Sequence, residues 1–175
     1  MSNVIKANSA YVGTDQQGVV GKIYEELFTD SNGNTTVRYL RVVKNIDASI
    51  AIKVGELCSS IATGSVNTMH LNGHVEQCPI TNLDNFCIAG VALQEIPAGS
   101  FGWVCCRGVV ELVVCHTNAT TIGMNLVSYG ATTLGMVQYD DPAGAGESIH
   151  TVGCVLVGVN TALTPDSCTA YINVL

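Results

Sequence analysis

His70 and His74 stand four residues apart in Met69-His70-Leu71-Asn72-Gly73-His74, the interval at which two imidazoles on one helix face can share a metal ion. The intervening Asn72-Gly73 is turn chemistry, and without a helix the interval loses its geometric meaning. Both are read as surface histidines. Cys115-His116 supplies a thiol nucleophile beside a base, but neighbours on a strand point to opposite faces. No Gly-x-Ser-x-Gly turn is present to expose a serine. Glu111 is the one charge between Gly108 and Val114, in apolar strand sequence where a raised proton affinity would suit catalysis. A single acid facing a cation serves structure equally well, and Arg107 is the obvious partner. No glycine-rich loop leads into a helix to cradle a phosphate, because hardly a helix can be drawn. The chain is therefore read as a non-enzyme with no cofactor or metal site.

Eight cysteines (Cys58, Cys78, Cys87, Cys105, Cys106, Cys115, Cys154, Cys168) invite a disulfide framework or a zinc site. The opening MSNVIKANSAYVG has no basic segment followed by an apolar run, so export is not expected and the compartment is reducing. No Cys-x-x-Cys pair occurs, and a zinc site would have to draw its ligands from distant segments. Most of these cysteines fall inside apolar strands, where cysteine packs as a small hydrophobe, so buried reduced thiols are expected. Without export, the glycosylation patterns Asn34-Thr35-Thr36 and Asn118-Ala119-Thr120 carry no weight. No run is long and apolar enough to span a bilayer, and no membrane partner is expected.

The 175 residues suffice to bury a core without metals or disulfides. Only 12% are charged, 47% are apolar and 18 are Gly, a balance that points to an all-β protein with a charge-poor surface. Such a surface suits an assembly better than a monomer. The 7 basic and 14 acidic residues are unevenly spread, with no Lys or Arg beyond Arg107. A clustered basic patch cannot be built from that half, which argues against a nucleic-acid partner.

The elements are organised around Ile88–Val114, IAGVALQEIPAGSFGWVCCRGVVELVV, whose apolar runs break at Pro97-Ala98-Gly99 and again at Gly108. That punctuation predicts a three-stranded meander. In its middle piece Phe101, Trp103, Cys105 and Arg107 share one face, and Gly102, Val104, Cys106 and Gly108 the other. The third piece is covered on most of both faces, by a second sheet or by a neighbouring subunit.

Met1–Gly18 shows no sustained period and is read as an extended arm. Val19–Phe28 reads as a helical turn or as the first strand of a hairpin. The Asn32-Gly33 signal and the β-branched, alternating Thr35–Val43 favour the hairpin. Ile50–Ser60 reads as a strand with a Gly where a bend fits, and Ile61–Asp84 as loop. Ile122–Tyr129 and Ala131–Tyr139 read as strands, Asp140–Glu147 as an acidic loop, and Ile149–Val159 with Cys168–Leu175 as a final pair. The organisation expected is an arm over residues 1–18 and a single β domain over 19–175, a small barrel or sandwich, divisible into a hairpin subdomain (19–60) and a barrel (61–175).

The run Gly90-Val-Ala-Leu, Ile96-Pro97-Ala98-Gly99, Phe101-Gly102-Trp103-Val104 and Arg107-Gly108-Val109-Val110 resembles the pattern of tailed-phage head decoration, or capsid cement, proteins. Leu40-Arg41-Val42-Val43-Lys44-Asn45 followed by Val54-Gly55-Glu56-Leu57 is similar to the segment that often precedes it. The likeness covers about residues 38–114. It implies a small β protein, often a homotrimer, on the capsid exterior of a bacteriophage virion, assembled in the host cytoplasm and bridging major capsid protein subunits. On that reading Val4, Ile5, Tyr11 and Val12 form a capsid-contact arm that adds a strand to a sheet edge. Phe101, Trp103, Arg107 and Glu111 form the oligomer interface. The alternative is a virion fibre or adhesion-type β module that grips sugar with loops near Trp103 and Tyr129.

Overall fold

A computed structural model describes residues 10–16, 18–61, 73–78, 86–115, 122–128, 135, 137–139, 151–160 and 166–174. Among them the chain is all β, with ten strands: β1 (Ile23–Thr29), β2 (Thr35–Asn45), β3 (Leu57–Ile61), β4 (His74–Gln77), β5 (Phe86–Ala92), β6 (Phe101–Val114), β7 (Asn125–Ser128), β8 (Val137–Tyr139), β9 (Thr151–Asn160) and β10 (Ser167–Asn173). The expected loop Ile61–Asp84 contains β4, its residues 62–72 and 79–84 lie outside the described residues, and so does the expected acidic loop Asp140–Glu147.

β1 and β2 form the expected hairpin, in register from Ile23↔Arg41 to Thr29↔Thr35. Its turn is organised by Asp30, whose Oδ1 accepts the amides of Asn32 at 2.9 Å and Asn34 at 2.8 Å. The Asn34 side chain donates to Oδ2 at 3.0 Å. These bonds, that of the Asn34 side chain first, hold the Asp30 carboxyl below its usual range.

Five strands close on one another. β2 pairs with β4, β4 with β3, β3 with β5, β5 with β6, and β6 returns to β2 over Tyr39–Lys44. A ring this small is filled by its own side chains. Val43, Cys58, Val75, Ala89, Ala92 and Val104, one or two from each strand, pack inside with Ile52 and Ile96. Ala89 and Ala92 both reach this interior because the β3–β5 register shifts between Cys58↔Gly90 and Ser59↔Ile88, a bulge that resets the alternation. Gly102 belongs to the same face, and a Cβ there would come within 2.7 Å of Ile96 Cγ1.

The sheet continues from β6 through β10, β9, β7 and β8. Between this extension and the ring lies a larger core that includes Leu57, Val91, Cys105, Val113, Leu126, Val155 and Ile172. The places of β2, between β4 and β6, and of β3, between β4 and β5, run the ring across the expected division at residue 60. Their backbone hydrogen bonds go to strands from the later part of the chain, so residues 19–60 make no separate unit.

The expected three-stranded meander is corrected to two strands. β6 runs without interruption through Gly108. The β2–β6 register steps from Leu40↔Cys105 to Tyr39↔Arg107, so Cys106 is an extra residue, and its thiol donates to Tyr39 O at 3.1 Å. Gly108, at φ +121°, then lets the Arg38 side chain lie 3.0 Å from where a Cβ would stand. The glycine bends the strand and does not end it. The strand expected at Ile50–Ser60 is likewise shorter: Ile52 makes an isolated bridge to Ile96, Gly55 turns at φ +81°, and β3 begins at Leu57.

Asn45, fully buried, ties these pieces together. Its Nδ2 donates to Ile50 O at 2.9 Å and Ile96 O at 3.0 Å, and its Oδ1 accepts the Asp47 amide at 3.1 Å.

Candidate interaction surface

The residues singled out in the sequence separate into core and surface. Trp103, expected at the oligomer interface, is 1% exposed and meets Tyr24 edge to face at 5.3 Å. The expected alternation holds for Trp103, Val104 and Cys105, which divide between the two cores, but the extra residue Cys106 resets it, so Arg107 lies beside Tyr39 on the face opposite Trp103. The face given to an interface is covered by the chain's own hairpin, which removes Trp103 from any interface and from a sugar-gripping loop. Tyr129 lies outside the described residues.

Phe101 is half-buried, with the Lys44 ammonium 5.5 Å from its ring centroid. Glu111 does not face Arg107 as expected. Its Oε1 accepts the Ser31 amide at 2.7 Å, so the carboxylate anchors the hairpin turn to β6. Its carbonyl accepts the Thr169 hydroxyl at 3.2 Å.

The arm is corrected in part. Val4 and Ile5 lie outside the described residues. Tyr11 packs against the larger core, and Gly13 exchanges two backbone hydrogen bonds with Phe101 at 2.8 and 3.2 Å. The start of β6 offers an unpaired amide and carbonyl there, and Gly13 fills them in the same chain.

What remains outward is a continuous face. Leu27, 76% exposed, lies opposite Val37, 42% exposed. Two residues along β2 on the same side comes Tyr39, opposite Arg107 on β6. The Arg107 guanidinium lies 5.7 Å over the Tyr39 ring, and its Nε donates to the Tyr171 hydroxyl at 3.3 Å. An apolar pair running into tyrosines with a cation held between them is the residue mixture enriched at protein contacts. No sequence period announces it, because it is assembled from the β1–β2 hairpin and two strands distant from it in the chain, β6 and β10.

A groove of about 290 Å³ lies between Phe28, Arg38, Val54, Leu93, Val110 and Leu112. Arg38 is stacked 3.7 Å over the Phe28 ring and paired with Glu26, its Nε reaching Oε2 at 3.1 Å. The charge is thus already neutralised. Among the described residues no group of three or more His, Cys, Asp and Glu could hold a metal ion.

Among the described residues Glu56 is the buried carboxylate, 7% exposed, accepting the Lys53 amide at 2.7 Å. Burial pushes its proton affinity above the usual carboxylate range, against the pull of the Lys53 amide and Gln77. The native state therefore holds this proton more tightly than the unfolded chain, so the contribution is present at low pH and lost as pH rises through the raised value. Glu56→Gln keeps an acceptor without the charge. It is expected to melt at or above the wild-type temperature at pH 7, with the difference shrinking toward pH 4. Thermal melts across that range check it, and a variant destabilised equally at every pH would contradict it.

Compared with protein-family models, curated proteins and solved structures, the chain matches none.

Proposed function

We propose that the chain is a structural component of a phage virion, bound on the capsid exterior as a homo-oligomer, with three copies expected, and bridging major capsid subunits. The observation that carries this reading is the exposed Leu27–Val37 pair continuing into Tyr39, Arg107 and Tyr171. Apolar and aromatic side chains held on a pleated surface contribute to binding without further ordering, so little entropy is lost on docking. The charge-poor composition and the resemblance over residues 38–114 support the same assignment. The folded body makes the contact, because Tyr11 and Gly13 are committed to their own chain.

Purified chain added to capsids that lack it is expected to co-sediment at a copy number near that of the capsid subunit and to raise the temperature at which the shell opens. Leu27→Asp, at a site that contributes little to the core, is expected to weaken co-sedimentation at least tenfold while leaving the fold intact. Light scattering is expected to return a multiple of 18.3 kDa. A chain that stays in the supernatant with every capsid tested, or a Leu27→Asp variant that binds as tightly as wild type, would overturn the reading.

A further inference from the structure

The ends of β6 and β10 bring two thiols together. Cys168 lies opposite Val113, and the Cys115 amide donates to Asp166 O at 3.0 Å, which extends the same register by two residues. Because side chains alternate, Cys115 and Cys168 project from one face as diagonal neighbours. Both are in the larger core, at 0% and 2% exposure. Their thiols share a hydrogen bond, which leaves Cys168 below the usual thiol range and Cys115 above it. The β10 register is interrupted immediately after Cys168 against both β6 and β9, so the backbone there has the local adjustability of a bulge.

We propose that Cys115 and Cys168 are a disulfide-forming site, closed by a small peroxide-class oxidant and independent of any role on a capsid. The geometry supplies a pair on one face of paired strands, burial in one core, and an adjacent bulge that can take up the movement needed to bring the sulfurs to bonding distance. The Cys168 thiolate attacks one oxygen of hydrogen peroxide, releasing hydroxide and forming a sulfenic acid. The Cys115 sulfur then displaces the hydroxyl, which leaves as water. Two thiols lose two electrons and two protons in total, and one peroxide becomes two waters. Cys58 and Cys105 are in different cores, and Cys106 turns its thiol to Tyr39 O.

The test uses the whole chain. Titrated under denaturing, non-reducing conditions, the untreated protein is expected to show its eight thiols, and the protein treated with hydrogen peroxide while folded to show six. Because no Lys or Arg follows Arg107, trypsin leaves both cysteines on one fragment, so peptic peptides made in acid are mapped by mass spectrometry. They are expected to show Cys115 joined to Cys168. The bond closes a loop of more than fifty residues and is expected to raise the melting temperature by about 5–15 °C, reversibly with dithiothreitol. Cys168→Ser is expected to abolish the crosslink. Eight thiols persisting after treatment, a different pair joined, or a two-thiol loss surviving in Cys168→Ser would overturn the proposal.

Discussion

Replacing Trp103 by alanine is expected to lower the free energy of unfolding by about 3–5 kcal/mol, a large share of what a domain of this size holds. The side chain is the largest of those fully buried, and its ring is closed over by Tyr24 from the hairpin. Truncation leaves a cavity between β6 and the hairpin, and both are fixed by their own backbone pairing, so neither can collapse to fill it. Phe101→Ala, two residues earlier on the same face but half-buried, is expected to cost less than about 1.5 kcal/mol. Urea unfolding checks both, the midpoint moving while the slope stays constant. The opposite pattern, with Trp103→Ala retaining its midpoint but falling apart as an oligomer, would return the tryptophan to an interface.

Asn45 carries the second large effect. Asn45→Ala is expected to cost about 2–3 kcal/mol, since it removes the donor to Ile50 O, the acceptor of the Asp47 amide and one of two donors to Ile96 O, which keeps the Ile52 amide, and leaves a small void. Asn45→Asp is the sharper experiment because it keeps the shape. An ionised carboxylate sets negative charge against two carbonyl oxygens in a fully buried position, and is expected to be at least as damaging as alanine at pH 7. Protonation restores one donor, so the Asp variant is expected to recover part of its stability as pH falls toward 4, while the Ala variant does not. Melting curves at the two pH values separate them, and parallel behaviour would show that the hydrogen bonds carry little.

The parts of this fold legible in the sequence are local. The Asn32-Gly33 turn, the alternation across Phe101–Cys105 and the final strand pair each depend on neighbours within about ten residues. Gly108 is ambiguous in the sequence because a glycine marks a required backbone angle without saying whether the chain turns or bulges there. Trp103 keeps its expected face but lies in the core and not at an interface, since alternation tells which side chains travel together and not what covers them. The surface around Leu27, Tyr39 and Arg107, the partner of Glu111 and the meeting of Cys115 with Cys168 all depend on registers between distant strands. Asn45 gives no signal at all, ending the plain strand sequence Leu40-Arg41-Val42-Val43-Lys44-Asn45.

The closing pair of the ring, β2 with β6, also sets a schedule for synthesis. β2 ends at Asn45 and its partner begins at Phe101, more than fifty residues later. At roughly 5–20 residues per second a ribosome leaves that edge open for several seconds. The β1–β2 hairpin can form in this interval, but it then presents Leu40, Val42 and Val43 with nothing to cover them. Arg41 and Lys44 are spaced along the same strand, and cations at such intervals oppose pairing with another nascent copy. Arg41 keeps a buried Nε without a hydrogen-bond partner in the finished fold. A residue that is imperfectly accommodated at the end is thereby useful on the way there, as a gatekeeper for a strand that must wait.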